Sequence, residues 1–126
     1  MQLDFIDNLN EHGENLVRLY DFGMAEAIKF QNALKEFVAG DDETFDISTL
    51  DFIEERNCKL IMAISDTDLG VVTRDKELFY CALTFKGFKE LIQAIEPYTK
   101  REVSGYKMLY DIDSVTDLLF SPKGSW

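Results

Sequence analysis

Two stretches of this chain carry apolar residues at helical spacing along one side only, and a block of strand-sized apolar runs lies between them. From Met24 to Val38, the residues Ala27, Phe30, Gln31, Leu34, Phe37 and Val38 share one face, while Lys29, Asn32, Lys35 and Glu36 take the other. Gly40 stands where such a helix stops. A second helix is expected from Phe85 to Glu96, capped by Thr84 and ended by Pro97, with Phe85, Phe88, Leu91, Ile92 and Ile95 as its stripe. A helix that is apolar on one side has to bury that side against another layer. The rest of the chain supplies a sheet to receive it.

Three runs read as an antiparallel meander. Cys58 to Ser65 is apolar on both faces, Asp66-Thr67-Asp68 turns, and Gly70 to Arg74 returns. After Asp75-Lys76-Glu77, Leu78 to Thr84 forms a third strand. Leu16 to Tyr20, Tyr106 to Ile112 and Asp117 to Phe120 add further strands. Shorter helices are expected in the N-terminal half. One covers residues 2–12 on the spacing Leu3, Ile6, Leu9, with His12 in its last turn and Gly13 beyond it. Another begins at Ser48, with Asp51 three positions on and Leu50 and Ile53 inward. No Pro-, Gly- or Ser-rich linker divides the 126 residues. The expectation is one α+β domain over residues 1–126, with a mostly antiparallel sheet of about five strands packed against two amphipathic helices. Its core should hold Ile28 or Phe30, Leu34, Phe37, Leu60, Met62, Ile64, Phe79, Cys81, Leu83, Phe88, Leu91 and Ile95.

Composition narrows the function. Hydrophobic residues make up 46% of the chain, enough for one core and well above the range of disordered chains. No run approaches the ~20 apolar residues of a membrane helix, and Met1-Gln2-Leu3-Asp4 lacks the basic start of a signal peptide, so a cytoplasmic location is expected. Cys58 and Cys81, each in an apolar setting, read as buried free thiols. The formal charge of −11 is uneven: residues 1–57 carry −10 and residues 58–126 carry −1. Between Asp41 and Glu55 stand Asp41, Asp42, Glu43, Asp46, Asp51, Glu54 and Glu55, with no Lys or Arg among them. Such a field repels phosphate backbones and attracts cations, which disfavours nucleic acid and suits a basic protein partner, while the plainer reading of the same charge, and the one favoured for it, is solubility.

Catalytic and metal patterns fail on inspection. Asp111-Ile112-Asp113 after an apolar run resembles the nucleophile strand of haloacid-dehalogenase-type phosphatases, but that strand opens its fold and only ten residues follow Thr116 here. As a calcium loop counted from Asp111, positions 5, 6 and 12 hold Val115, Thr116 and Pro122. Asp66 to Gly70 carries the residues of an ordinary hairpin turn, with a weak divalent-cation site as the alternative. The single histidine, His12, has no nucleophile near it in sequence, the cysteines lack zinc spacing, and the seven glycines form no phosphate loop. No catalytic residue, metal or cofactor is therefore assigned.

The expected function is a non-enzymatic domain whose acidic face meets a basic protein. An inhibitor of a cationic toxin or nuclease, in the manner of immunity and antitoxin proteins, or an adaptor, fits that description. Aromatic contacts from Phe45 or Phe52 would anchor the partner, and Trp126 is expected either to dock back onto the domain, the favoured reading, or to join them as a partner anchor. The alternative is a small-molecule-binding or enzymatic domain with a pocket between sheet and helices.

Overall fold

The computed structural model describes residues 1–7, 15–110 and 116–124. Among them are nine strands and two helices: β1 (Gln2–Ile6), β2 (Asn15–Tyr20), α1 (Met24–Ala39), β3 (Thr44–Asp46), β4 (Glu54–Glu55), β5 (Lys59–Ile64), β6 (Gly70–Thr73), β7 (Leu78–Leu83), α2 (Phe85–Lys100), β8 (Lys107–Tyr110) and β9 (Thr116–Ser121). All nine strands join one mixed sheet in the order β3-β5-β7-β6-β9-β2-β1-β4, with β8 also paired to β9. The α+β class and the two long helices match the sequence pattern. The sheet is larger than expected and is not mostly a meander.

Three pairings are parallel: β5 with β7, β2 with β9 and β1 with β4. The run after β5 does not turn back beside it. Residues 65–69 cross over the end of β7, tied by Ser65 N–H to the Leu83 carbonyl and Leu69 N–H to the Ala82 carbonyl, each at 2.9 Å. β6 then pairs with the far side of β7. β9 lies in mid-sheet, with Val71 of β6 on one side and the whole of β2 on the other.

The N-terminal run is a strand over residues 2–6, not the start of a helix. Leu3 is fully buried and pairs with Leu19, Phe5 pairs with Val17, and Gln2 and Asp4 alternate to the opposite face. Two-residue alternation outcompetes the three-residue spacing because β2 offers a partner ladder. Asp7 follows the strand outside regular structure, and residues 8–12 of that expected helix, His12 included, lie outside the described residues. Downstream, Ile47–Thr49 is a single 3-10 turn and begins one residue before Ser48. Asp46 caps it by accepting the Ser48 N–H at 2.9 Å.

Pro97 does not end α2, which runs on to Lys100. Tyr98 holds that last turn: it is buried, its hydroxyl donates to the Gly105 carbonyl at 3.0 Å, and its ring packs edge-on to Phe120. These tertiary contacts offset the helix bond that proline removes. Ile28 is exposed where Phe30 is buried, and Ile64 is only partly buried; the other expected core residues are buried.

The sheet must be strongly coiled. β4 and β5 stand six places apart in the ladder, about 29 Å in a flat sheet. Only Arg56, Asn57 and Cys58 join them, a span of at most ~15 Å. Across the curl, the rings of Phe5 on β1 and Phe79 on β7 lie 4.6 Å apart between centroids. The core face is therefore the concave one. Asn57 fastens the short link, since its side chain accepts the Phe5 N–H at 2.8 Å and donates to the Phe5 carbonyl at 2.9 Å.

Both helices close the concave side and pack antiparallel to each other, Phe37 meeting Phe88 edge-on at 5.6 Å and Gln31 donating to the Ile92 carbonyl. Phe120 sits at the centre of the upper core, with Phe22, Tyr98 and Phe30 around it at 4.2, 5.2 and 6.0 Å. On the convex face Arg18 makes a two-pronged pair with Asp4, at 2.8 and 2.7 Å, and lies 4.0 Å above the Tyr20 ring.

Candidate functional site

The acidic segment spans the seam where the two ends of the sheet approach each other. Its first carboxylates, Asp41, Asp42 and Glu43, leave the end of α1 as an exposed loop into β3. Gly40, the C-cap of α1, gives up its N–H to the Glu36 and Phe37 carbonyls, so the loop starts directly from the last helical turn. Asp51 is exposed between the 3-10 turn and β4, and Glu54 and Glu55 lie on β4 at the other end of the ladder.

These seven carboxylates do not share one role. Asp46 is half-buried and engaged by both the backbone and the hydroxyl of Ser48. Glu54 pairs with Arg56 at 3.2 Å and Glu55 with Lys59 at 3.5 Å. Among the described residues Asp41, Asp42, Glu43 and Asp51 form no ion pair with Lys or Arg. The uncompensated charge is thus concentrated at the loop following α1. Beside it lies a shallow groove of about 230 Å³ lined by Ala33, Glu36, Phe37, Asp42, Phe45 and Leu50. Its floor is apolar and two carboxylates stand on its rim.

The expected aromatic anchors are placed differently from one another. Phe45 is half-buried with its ring 5.6 Å from Phe37, so it forms groove wall and does not project. Phe52 is also half-buried, with the Lys29 ammonium 5.9 Å from its ring centre. Trp126 lies outside the described residues, as do Asp111 and Asp113.

The Asp66 to Gly70 segment has a structural assignment that sequence reading missed. It is the crossover loop, and Asp68 is its tether: one carboxylate oxygen accepts the Thr84 N–H at 2.8 Å and the Thr84 hydroxyl at 2.9 Å. Thr84 in turn accepts the Gly87 N–H at 3.0 Å and caps α2. Gly70 sits at φ 78°, in the left-handed region that favours glycine. The only sequence signal for this arrangement was the Asp and Gly content that a hairpin would share.

Burial pushes the Cys58 and Cys81 thiols up to about 12, with nearby carboxylates adding to the effect. Both are free and buried. The native protein is expected to react with a thiol-specific reagent at pH 8 at least about a hundredfold more slowly than the urea-unfolded chain. A stopped-flow or absorbance assay of thiol release checks this. Because the folded-state values are raised, the stability these thiols contribute is complete below the unfolded thiol range. It is lost as pH climbs from about 8.5 towards 12.

The sequence also gave no sign of a second surface. Antiparallel packing leaves an open groove of about 920 Å³ along the outer side of the helix pair, between Lys35 and Val38 on α1 and Phe85, Lys89 and Ile92 on α2. Phe85, placed in the stripe that faces the core, is instead 53% exposed. Among the described residues, no helix is long and apolar enough to cross a membrane. No family model matches the chain, and neither the curated proteins nor the solved structures contain a significant match.

Proposed function

We propose that this chain is a non-enzymatic protein-binding domain that receives a basic protein on the loop Asp41–Glu43 and the groove beside it. The observation that carries the reading is that Asp41, Asp42 and Glu43 are exposed and have no cationic partner among the described residues, and that Asp42 borders an apolar groove. Uncompensated charge on the rim steers a cationic partner, and the groove wall of Phe37, Phe45 and Leu50 offers apolar contact once it arrives. An inhibitor of a basic toxin or nuclease, or an adaptor, is the class of protein this describes. The space between sheet and helices is occupied by Phe30, Phe79, Phe88 and Phe120, all fully buried, which favours a surface over an internal ligand pocket.

The test is capture of partners from the native lysate at about 50 mM and 500 mM salt, with a variant carrying Asp41→Asn, Asp42→Asn and Glu43→Gln in parallel. A basic protein held at low salt, released at high salt and lost from the variant is the expected result. Association rates measured with that partner should fall roughly tenfold or more across the same salt range. A partner retained equally by the variant, or a salt-insensitive rate, would falsify the acidic loop as the docking element.

A further inference from the structure

We propose that the groove between α1 and α2 is a second docking site, and that its occupant is an acidic amphipathic helix from another protein. The groove is built by one stripe from each helix. Gln31, Lys35 and Val38 supply one wall, and Phe85, Lys89, Ile92 and Glu96 supply the other. Spacings of three and four residues on both walls are the ridges between which a third helix seats its own apolar stripe. Phe85 to Glu96 covers three helical turns, about 17 Å of wall. Val38 and Ile92 form a half-buried floor, and Phe85 stands at one end with more than half its surface in water.

Charge selects the occupant. The two helices together carry +1 while the remainder of the chain carries −12, so this is the region where the acidic field of the protein gives way. Glu96 is the one carboxylate on the walls, and it is neutralised. The buried Gln31 amide donates to it and Lys100 pairs with it at 3.2 Å, which together with the more distant charge of Lys35 hold its carboxyl below the ordinary range. Lys35 and Lys89 have no ion pair among the described residues. The antiparallel register set by Phe37 against Phe88 and Gln31 against Ile92 puts these two lysines opposite each other across the groove. A helix with an aliphatic stripe flanked on both sides by carboxylates meets an apolar floor and a cation on each wall. A second copy presenting the same face would set its lysines against these and be repelled. This site is distinct from the acidic loop, and its partner has the opposite charge.

The probe is a synthetic peptide of about 14 residues, a length that slightly exceeds the groove wall, with Leu at helical spacing and Glu on both flanks. A twin carries Lys in place of every Glu. Each is titrated into the isotopically labelled full chain and followed by amide shifts. The acidic peptide is expected to move Lys35, Val38, Phe85, Lys89 and Ile92, with the twin at least about tenfold weaker at those residues. The double variant K35E/K89E should reverse that preference, whereas K107E, the same charge change outside the groove, should leave it intact. Absence of shifts at these residues up to millimolar peptide, or equal shifts from both peptides, overturns the proposal. So does concentration-dependent broadening of the same residues without peptide, which would make a second copy the occupant.

Discussion

Replacing Phe120 by alanine is expected to remove about 3–5 kcal/mol of folding stability. The side chain is fully buried on a mid-sheet strand, and its ring touches Phe22, Phe30 and Tyr98, which come from the β2–α1 link, α1 and α2. Its loss opens a cavity where three elements converge, and rigid neighbours close such a space only in part. A domain of this size holds roughly 5–15 kcal/mol in total, so the variant should be close to unfolding at room temperature. Urea titration should show a large fall in midpoint with little change in slope. Leu69→Ala, at a residue 57% exposed, is the control and should stay within about 0.5 kcal/mol. A Phe120→Ala cost below about 1 kcal/mol would contradict the packing described.

The second large effect runs against helix propensity. Gly87 lies inside α2, where alanine would ordinarily add about 1 kcal/mol. Here a Cβ would stand 2.6 Å from the Asp68 carboxylate oxygen and 3.0 Å from the Leu83 Cβ. That oxygen is held by the Thr84 N–H and hydroxyl, so it retreats only by releasing the cap of α2. Gly87→Ala should therefore destabilise by about 1–3 kcal/mol despite its better propensity. Asp68→Ala should cost about 1–2 kcal/mol through the lost tether. The double variant should cost clearly less than the sum, because removing the carboxylate makes room for the methyl group. Additive costs would show that the strain lies elsewhere.

Both effects depend on relations that sequence periodicity does not report. The helices and the strands at β2, β5, β6 and β7 were legible because each is long enough for its period to declare itself. The N-terminal strand was not: in five residues, the spacing Leu3–Ile6 and the alternation Leu3–Phe5 compete, and pairing with β2 decides. Alternation along Leu60, Met62 and Ile64 shows which side of a strand is apolar, but not which strand lies next to it. Hence β5 was placed beside β6 when it pairs with β7. The exposed charge of Asp41–Glu43 could be read from composition alone. The division of labour among the seven carboxylates could not, since Asp46, Glu54 and Glu55 acquire their partners only from local folding. The outer helix groove was hidden for another reason. Val38 and Phe85 belong to stripes that look entirely core-facing until the helix crossing turns their outer edges to solvent.

The position of β9 bears on how the chain is made as well as how it is held. Its six residues pair in parallel with β2, joining Asn15 to Thr116 and Tyr20 to Ser121. Synthesis delivers the N-terminal elements, then the β5–β7 block and α2, and only after them the strand that lies between them. Until that strand leaves the ribosome, β2 and β6 present unpaired edges, and the concave core lacks Leu118 and Phe120. A loop closure of about a hundred residues is slow and leaves those edges open to foreign strands while it is pending. The nascent chain is thus at its most aggregation-prone after α2 has emerged and before β9 has, a hazard absent from the folded domain.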